Sequence, residues 1–586
     1  MLKNLMQINM KKIINNIWVL LAILYLGSCT SDYLDINDDP NNPTEAVMNQ
    51  LLPGGEFFMA QALGQGNFIG NNLQTFVHQI VTRETQNYGM TPGDNNIFNS
   101  WNYLYTYALP AFDAVIEAGD KDGNLIYAGI GKTLKAYSFS VMVDLWGDIP
   151  YSEFNVPGNN APSPDSSKDI YNSLITLLEE ANADLNNKEA ENGLKPGGDD
   201  FIYGGSVSKW TKLNNTIQLR LLLQSRKAKA DITGWKTKLD ALISENNFIG
   251  SADDFQFWYN KGTSPQDMRH PAISQYTGQQ TNYISPFFYE TMAGITLNTT
   301  GNPFSGIKDP RMPYYYVNQL KSGQDAENAH EYRNGNFMSI FFATNGPNSS
   351  GSNDKSLTKI GVYAAGGKYD TGEGGVVSLT DKDNVEYGYG IAPHKMVTFF
   401  SLKFMLAELA LAGETTGDAK ALFKDAMNAS VAHVNSVVDR QPQITITINA
   451  GKPDEKKEKV EMPKISVTDR DAFVDAVLTK YDAADADGKM EIVMTQKWIA
   501  NFFNPIDSYT DYRRTGYPVM FDPAKTTDPG NAVNPTVTER SPAVVPLMNI
   551  ASYPRSLYYP TNSETELNAN MVQKSNLSTP FVFWDK

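Results

Sequence analysis

Cysteine is all but missing from this sequence: its 586 residues include one, Cys29. A single thiol excludes an internal disulfide framework and any zinc or iron–sulfur centre built on clustered cysteines. Histidine is scarce too. There are five (His78, His270, His330, His394, His433), none in an HExxH spacing, which leaves little for a metalloenzyme. Basic residues are outnumbered 49 to 65, for a net charge of −16. A nucleic-acid-binding protein needs a basic face against phosphate, so that class is disfavoured. Catalytic signatures are also lacking: there is no GxSxG elbow, P-loop or dinucleotide fingerprint. Ser206-Val207-Ser208-Lys209 fits SxxK but has no SDN or KTG companion. Asp485-Ala486-Asp487-Gly488 has the look of a calcium loop, yet Ala483 and Met494 stand at the first and last ligand positions. What is present is a 41% hydrophobic fraction, enough for a sizeable core, and 30 tyrosines within an 11% aromatic content.

The N-terminus accounts for the lone cysteine. Lys3, Lys11 and Lys12 precede an apolar run from Ile17 to Leu26 that is too short to span about 30 Å of hydrocarbon. A basic flank, a short apolar core and small residues at Gly27 and Ser28 describe a secretory signal peptide over 1–28. Leu26-Gly27-Ser28-Cys29 resembles the lipobox of bacterial lipoproteins, which implies cleavage before Cys29 and lipidation of its thiol and new amino group. Several acyl chains anchor durably, because each buried CH₂ adds about 0.8 kcal/mol. The expected mature protein is anchored to a membrane and carries 46 basic against 65 acidic residues, net −19.

Residues 29–43 are polar and rich in Pro and Asn, and read as a tether. From 44 to about 146 two helical hairpins are expected, with breaks at Gly64–Gly66, Gly89–Asn95 and Gly119–Gly123. Tyr171, Leu174, Ile175, Leu178, Ala181 and Leu185 hold helical spacing behind a capping box at Ser166 and Asp169. Trp210, Leu213, Ile217 and Leu221 mark another helix from Ser208 to about Ala228. Paired helices of this size suggest a tetratricopeptide-like solenoid, although no clean 34-residue repeat is visible. Residues 250–390 change to Gly, Asn, Ser, Tyr and Phe, which predicts loops and short strands. Helix returns at Val397, and the alternation Ile444-Thr445-Ile446-Thr447-Ile448 predicts a hairpin within about 442–468. Ile492, Ile499, Phe502 and Phe503 mark a further helix, and the tail after Pro518 is rich in Pro and Asn. The predicted class is mostly α: a helical scaffold at about 44–230 and 391–520 within one domain (44–586), bearing a loop-rich α+β region with short strands.

Several segments, in order, resemble the SusD/RagB family of Bacteroidetes surface lipoproteins, in its SusD-like branch. These are Asp144-Leu145-Trp146-Gly147-Asp148-Ile149-Pro150-Tyr151; Phe201-Ile202-Tyr203-Gly204-Gly205 with Trp210, Asn214, Leu219 and Arg220; and Leu402 to Gly413 with Ala407-Glu408. Gln496-Lys497-Trp498 with Asp511 to Pro518, and Pro554 to Pro560 with Glu564 and Asn568, complete the set. The middle of the chain matches only loosely, as at Asp309-Pro310-Arg311. Read physically, these blocks are scaffold. Gly147 and Pro150 end a helix, Arg513 and Arg514 suit buried carboxylates better than substrate, and Glu408 inside an apolar helix suits a paired core carboxylate.

The resemblance implies an outer-membrane, surface-exposed nutrient binder without catalytic activity or cofactor. It captures an oligosaccharide and serves as a lid over a TonB-dependent barrel of the SusC type. It also implies that the loop-rich region carries the ligand site. Peptide binding by the same lid mechanism is the alternative, and a membrane-anchored hydrolase is a remote one. Binding a sugar needs flat rings for its C–H faces and amides or hydroxyls for its hydroxyl groups. Candidate ligand residues are therefore loop rings and amides: Tyr88, Trp258, Tyr259, Tyr276, Gln279, Asn282, Tyr283 and Tyr363, with Gln280 and Tyr369 beside them. Trp101, Tyr103 and Tyr105 lie on a helical stripe and are assigned to the core.

Overall fold

The computed structural model describes residues 47–586 apart from 84–87, 278–280, 296–301, 321–322, 327, 329, 346–354, 371–387, 443, 449–452, 455, 521–544 and 547–550. The leader, the tether, Cys29, Gln279 and Gln280 lie outside the described residues.

Helices dominate. α1 (Met48–Ala62) leads to α2 (Gly70–Phe76), β1 (Ile80–Thr82) and α3 (Asn95–Asn102). The Asp94 carboxylate caps α3 by accepting from the Asn96 and Ile97 backbone N–H groups. α3 runs through a π-helical turn, Tyr103–Ala108, into α4 (Leu109–Lys121), and α5 (Leu125–Trp146) follows. The expected two hairpins are thus five helices, because the Gly64–Gly66 break and the segment after β1 divide the first half more finely. α5 packs between α4 and α6 (Ser167–Leu185) and is buried on nearly every side, as a central helix must be. It stops at Gly147, where φ is +79° and a Cβ would lie 2.2 Å from the Phe581 carbonyl oxygen. The capping box of α6 forms: the Ser166 hydroxyl accepts from the Asp169 N–H at 3.2 Å and donates to its carboxylate at 2.6 Å. α7 (Val207–Gln224) and α8 (Trp235–Glu245) complete this half.

The loop-rich middle contains β2 (Phe255–Trp258), β3 (Asn282–Ile284), the short α9 (Pro286–Ala293) and β4 (Pro393–Val397). Described strands pair only in twos: β1 with β3 and β2 with β4, both antiparallel. Helices resume as α10 (Phe399–Leu411) and α11 (Ala419–Asp439). The hairpin of β5 (Ile444–Ile448) and β6 (Lys456–Val460) follows, then α12 (Val467–Ala483), α13 (Ala486–Ala500) and α14 (Pro505–Thr515). Asp485 serves α13 as its N-cap, accepting from the Gly488 N–H at 2.8 Å.

A polar core fastens the scaffold. Arg514 on α14 binds both oxygens of Glu408 on α10, at 3.1 and 2.6 Å, and reaches Asp511 at 2.8 Å. Lys497 on α13 approaches Asp511 at 2.8 Å. Burial pushes the Glu408 carboxyl up, but Arg514 more than offsets it and holds the group below the usual carboxylate range. Arg220 on α7 joins Asp144 on α5 (3.3 Å) to Asp507 on α14 (3.1 Å). Trp101 is buried, whereas Tyr103 and Tyr105 are half-buried at the edge of the core. The segment 551–586 is not a loose tail. Trp584 is fully buried and donates to Asp144 at 3.0 Å, while Asp585 accepts from Arg513 at 2.8 Å.

Candidate functional site

The β1–β3 ladder brings two of the expected ligand loops side by side. Val81 stands opposite Tyr283 and Thr82 opposite Asn282, and the Arg83 N–H donates to the Thr281 carbonyl at 2.7 Å. The Gln275 side-chain oxygen accepts from the backbone N–H groups of Thr281 (2.9 Å) and Asn282 (3.1 Å) and so fixes the turn into β3. From there an amide ledge extends over α2 and α3. Asn282 donates to the Asn71 side chain at 3.4 Å, Asn96 to Asn72 at 2.7 Å, and Asn72 to Asp94 at 3.3 Å. Asn71, Asn72, Asn96 and Asn99 are half-buried, and Phe68 and Phe98 are half-buried in the same two segments. Sequence reasoning missed this ledge. Its signal was the run of asparagines in 67–72 and 95–102.

Most of the expected ligand rings point inward. Tyr88 is buried among Phe76, Phe342 and Tyr553, and its hydroxyl meets His78 Nε2. Tyr276 is buried, with its hydroxyl donating to the Ile360 carbonyl. Tyr283 is completely buried. So is Tyr363, which stacks on Tyr315 at 4.9 Å and has the Lys395 Nζ 3.9 Å from its ring centroid. Tyr259 packs against Phe257 and His270, and Asn282 is buried at the base of the amide ledge. In each case protein packs around the ring or the amide.

Trp258 differs. It ends β2 opposite Pro393, is half-buried, and carries the Arg440 guanidinium 3.7 Å from its ring centroid. Nearby concavities lie elsewhere. A cleft of about 640 Å³ is walled by Tyr314 and Tyr369, whose ring centroids are 5.1 Å apart, with Pro310, Pro313, Lys308 and Phe473. A smaller one of about 430 Å³ lies between α10 and α11 and is lined by Asp254, His433, Phe399 and Phe400. There burial pushes the Asp254 carboxyl up to about 7 against the Phe399 N–H that donates to it at 2.6 Å, and drives His433 down to about 3. Among the described residues, no group of three or more His, Cys, Asp or Glu side chains is placed to hold a metal.

A family model described as starch-binding and associating with the outer membrane, SusD-like, matches residues 40–540. The chain belongs to the SusD-like family. No curated protein matches it in sequence. Solved SusD homologues share the fold. One from Parabacteroides distasonis is 20% identical with a TM-score of 0.61, covering 92% of this chain and 97% of its own. A chitin-binding homologue from Flavobacterium johnsoniae is 18% identical with a TM-score of 0.59, covering 91% and 98%. One from Bacteroides fragilis is 21% identical with a TM-score of 0.57, covering 89% and 94%. No described helix is long and apolar enough to cross a membrane.

Proposed function

We propose that this SusD-like protein is a lipoprotein, anchored through Cys29 to the outer membrane and exposed at the cell surface. There it binds an oligosaccharide without altering it and delivers it to a TonB-dependent barrel of the SusC type. The observation that carries this reading is the family match over 40–540, directly behind a lipobox at Leu26–Cys29 that holds the chain's sole cysteine. The amide ledge beside half-buried rings suits sugar hydroxyls and C–H faces. We further propose that among the sequence-level candidates Trp258 meets the ligand directly, and that Tyr88, Tyr276 and Tyr283 act by supporting the surface. The test has two arms. Cys29→Ala is expected to abolish fatty-acid labelling and move the protein out of the membrane fraction. Affinity capture from membranes is expected to recover a β-barrel partner, and glycan-array binding is expected with the intact chain. An unlabelled wild type, or a wild type that binds peptides but no glycan, overturns the reading.

A further inference from the structure

Arg440 is one of the exposed cations of this acidic chain. It sits at the C-terminal cap of α11, is exposed, and makes no ion pair with a carboxylate among the described residues. Its neighbour Asp439 is taken by Lys464. Its guanidinium instead lies on the indole of Trp258, 3.7 Å from the ring centroid. A guanidinium stacked in this way keeps its planar fork of N–H donors free at the edge, pre-oriented for a flat, two-oxygen anion. Partial burial strips some of its water, and among the described residues no carboxylate stands in for that water. Asn260 and Lys261 follow Trp258 in the chain. Both are exposed, and Lys261 also has no acidic partner among the described residues.

We propose that Trp258 and Arg440 form a subsite for an oxyanion carried on the ligand, so that the oligosaccharide this protein captures is an acidic one, bearing carboxylate or sulfate groups. The inference rests on the glycan reading above and narrows it to a charge class. A helix C-terminus stabilises any cation, so a purely structural role for Arg440 is satisfied equally by lysine. Recognition of a two-oxygen anion by the fork is not.

The experiment measures calorimetric binding of the detergent-solubilised full-length protein to three probes: tetragalacturonate, a sulfated galactan oligosaccharide free of carboxylates, and neutral maltohexaose. At least one acidic probe is expected to bind more tightly than maltohexaose, with affinity falling as salt is raised. Arg440→Gln is expected to weaken that binding about tenfold or more, and Arg440→Lys to weaken it nearly as far. Both variants are expected to leave the melting temperature unchanged. Which acidic probe responds separates carboxylate from sulfate. Preference for maltohexaose, or acidic binding indifferent to Arg440→Gln, overturns the acidic subsite and leaves the glycan reading standing. Binding to none of the three probes, nor to a wider glycan array, overturns both.

Discussion

Arg514 on α14 and Glu408 on α10 form a two-pronged ion pair in the interior, with Nε and Nη2 on separate carboxylate oxygens at 3.1 and 2.6 Å. Removing one partner leaves the other charged and desolvated. Glu408→Leu is therefore expected to destabilise the fold by about 3–5 kcal/mol. The double variant Glu408→Leu/Arg514→Met strands only the less buried Arg226, which also pairs with Glu408 at 3.3 Å, and is expected to recover much of that loss. Urea denaturation of the wild type, both single variants and the double variant decides it, and additive losses in the double variant contradict the account.

Gly147 is expected to tolerate no side chain. Gly147→Ala combines a left-handed backbone with a Cβ placed 2.2 Å from the Phe581 carbonyl. The expected cost exceeds about 2 kcal/mol. The displaced segment is 551–586, so limited proteolysis is expected to cut there first in the variant. An unchanged melting temperature and digestion pattern rule this out.

Acid is expected to unfold the protein from about neutrality downward. Burial lowers His78, His270 and His433 to about 3 and His394 to about 4, against an ordinary value of 6.5. Between those limits the unfolded chain binds protons that the folded chain refuses, so stability falls as pH falls through 6.5. Each buried histidine contributes up to about 2 kcal/mol of loss by pH 5. Asp254, raised to about 7 by burial, acts in the opposite direction. Its folded form holds a proton above its ordinary value, so its contribution is lost as pH rises towards 7. Burial also raises the carboxyls of Glu56, Asp144, Glu491 and Glu564, which act as Asp254 does; the four histidines are expected to outweigh them, so that the melting temperature drops from pH 7 to pH 5. A melting temperature flat or rising over that interval contradicts the balance.

Helices were legible wherever an apolar stripe met a cap. Ser166 and Asp169 start α6 as their spacing implies, and Leu174 and Leu178 lie on its buried face. Glu408 was legible as a core carboxylate because an apolar helix offers it no water. The loop rings were not, because exposure in a loop is decided by distant packing. Between Tyr363 and Tyr369 the chain turns at Gly366 and Gly367. At Gly367 a Cβ would fall 2.4 Å from the Tyr276 hydroxyl, so the missing side chain lets backbone close over the ring. Arg311 was equally hidden: its loop sequence gives no sign that it is buried against Asp309, Ser430 and Gln496. The contact between Trp258 and Arg440 joins residues far apart in the chain, and no local spacing announces it.

The seal that Trp584 places on Asp144 has a consequence in time. The two residues are 440 positions apart. As the chain is synthesised, Asp144 and Arg220 wait for their remaining partners until the rest of the polypeptide has emerged, so the centre of the scaffold cannot close early. For the export that the proposed anchoring at Cys29 requires, such a delay is an advantage, because the chain stays threadable until it has reached the far side of a membrane.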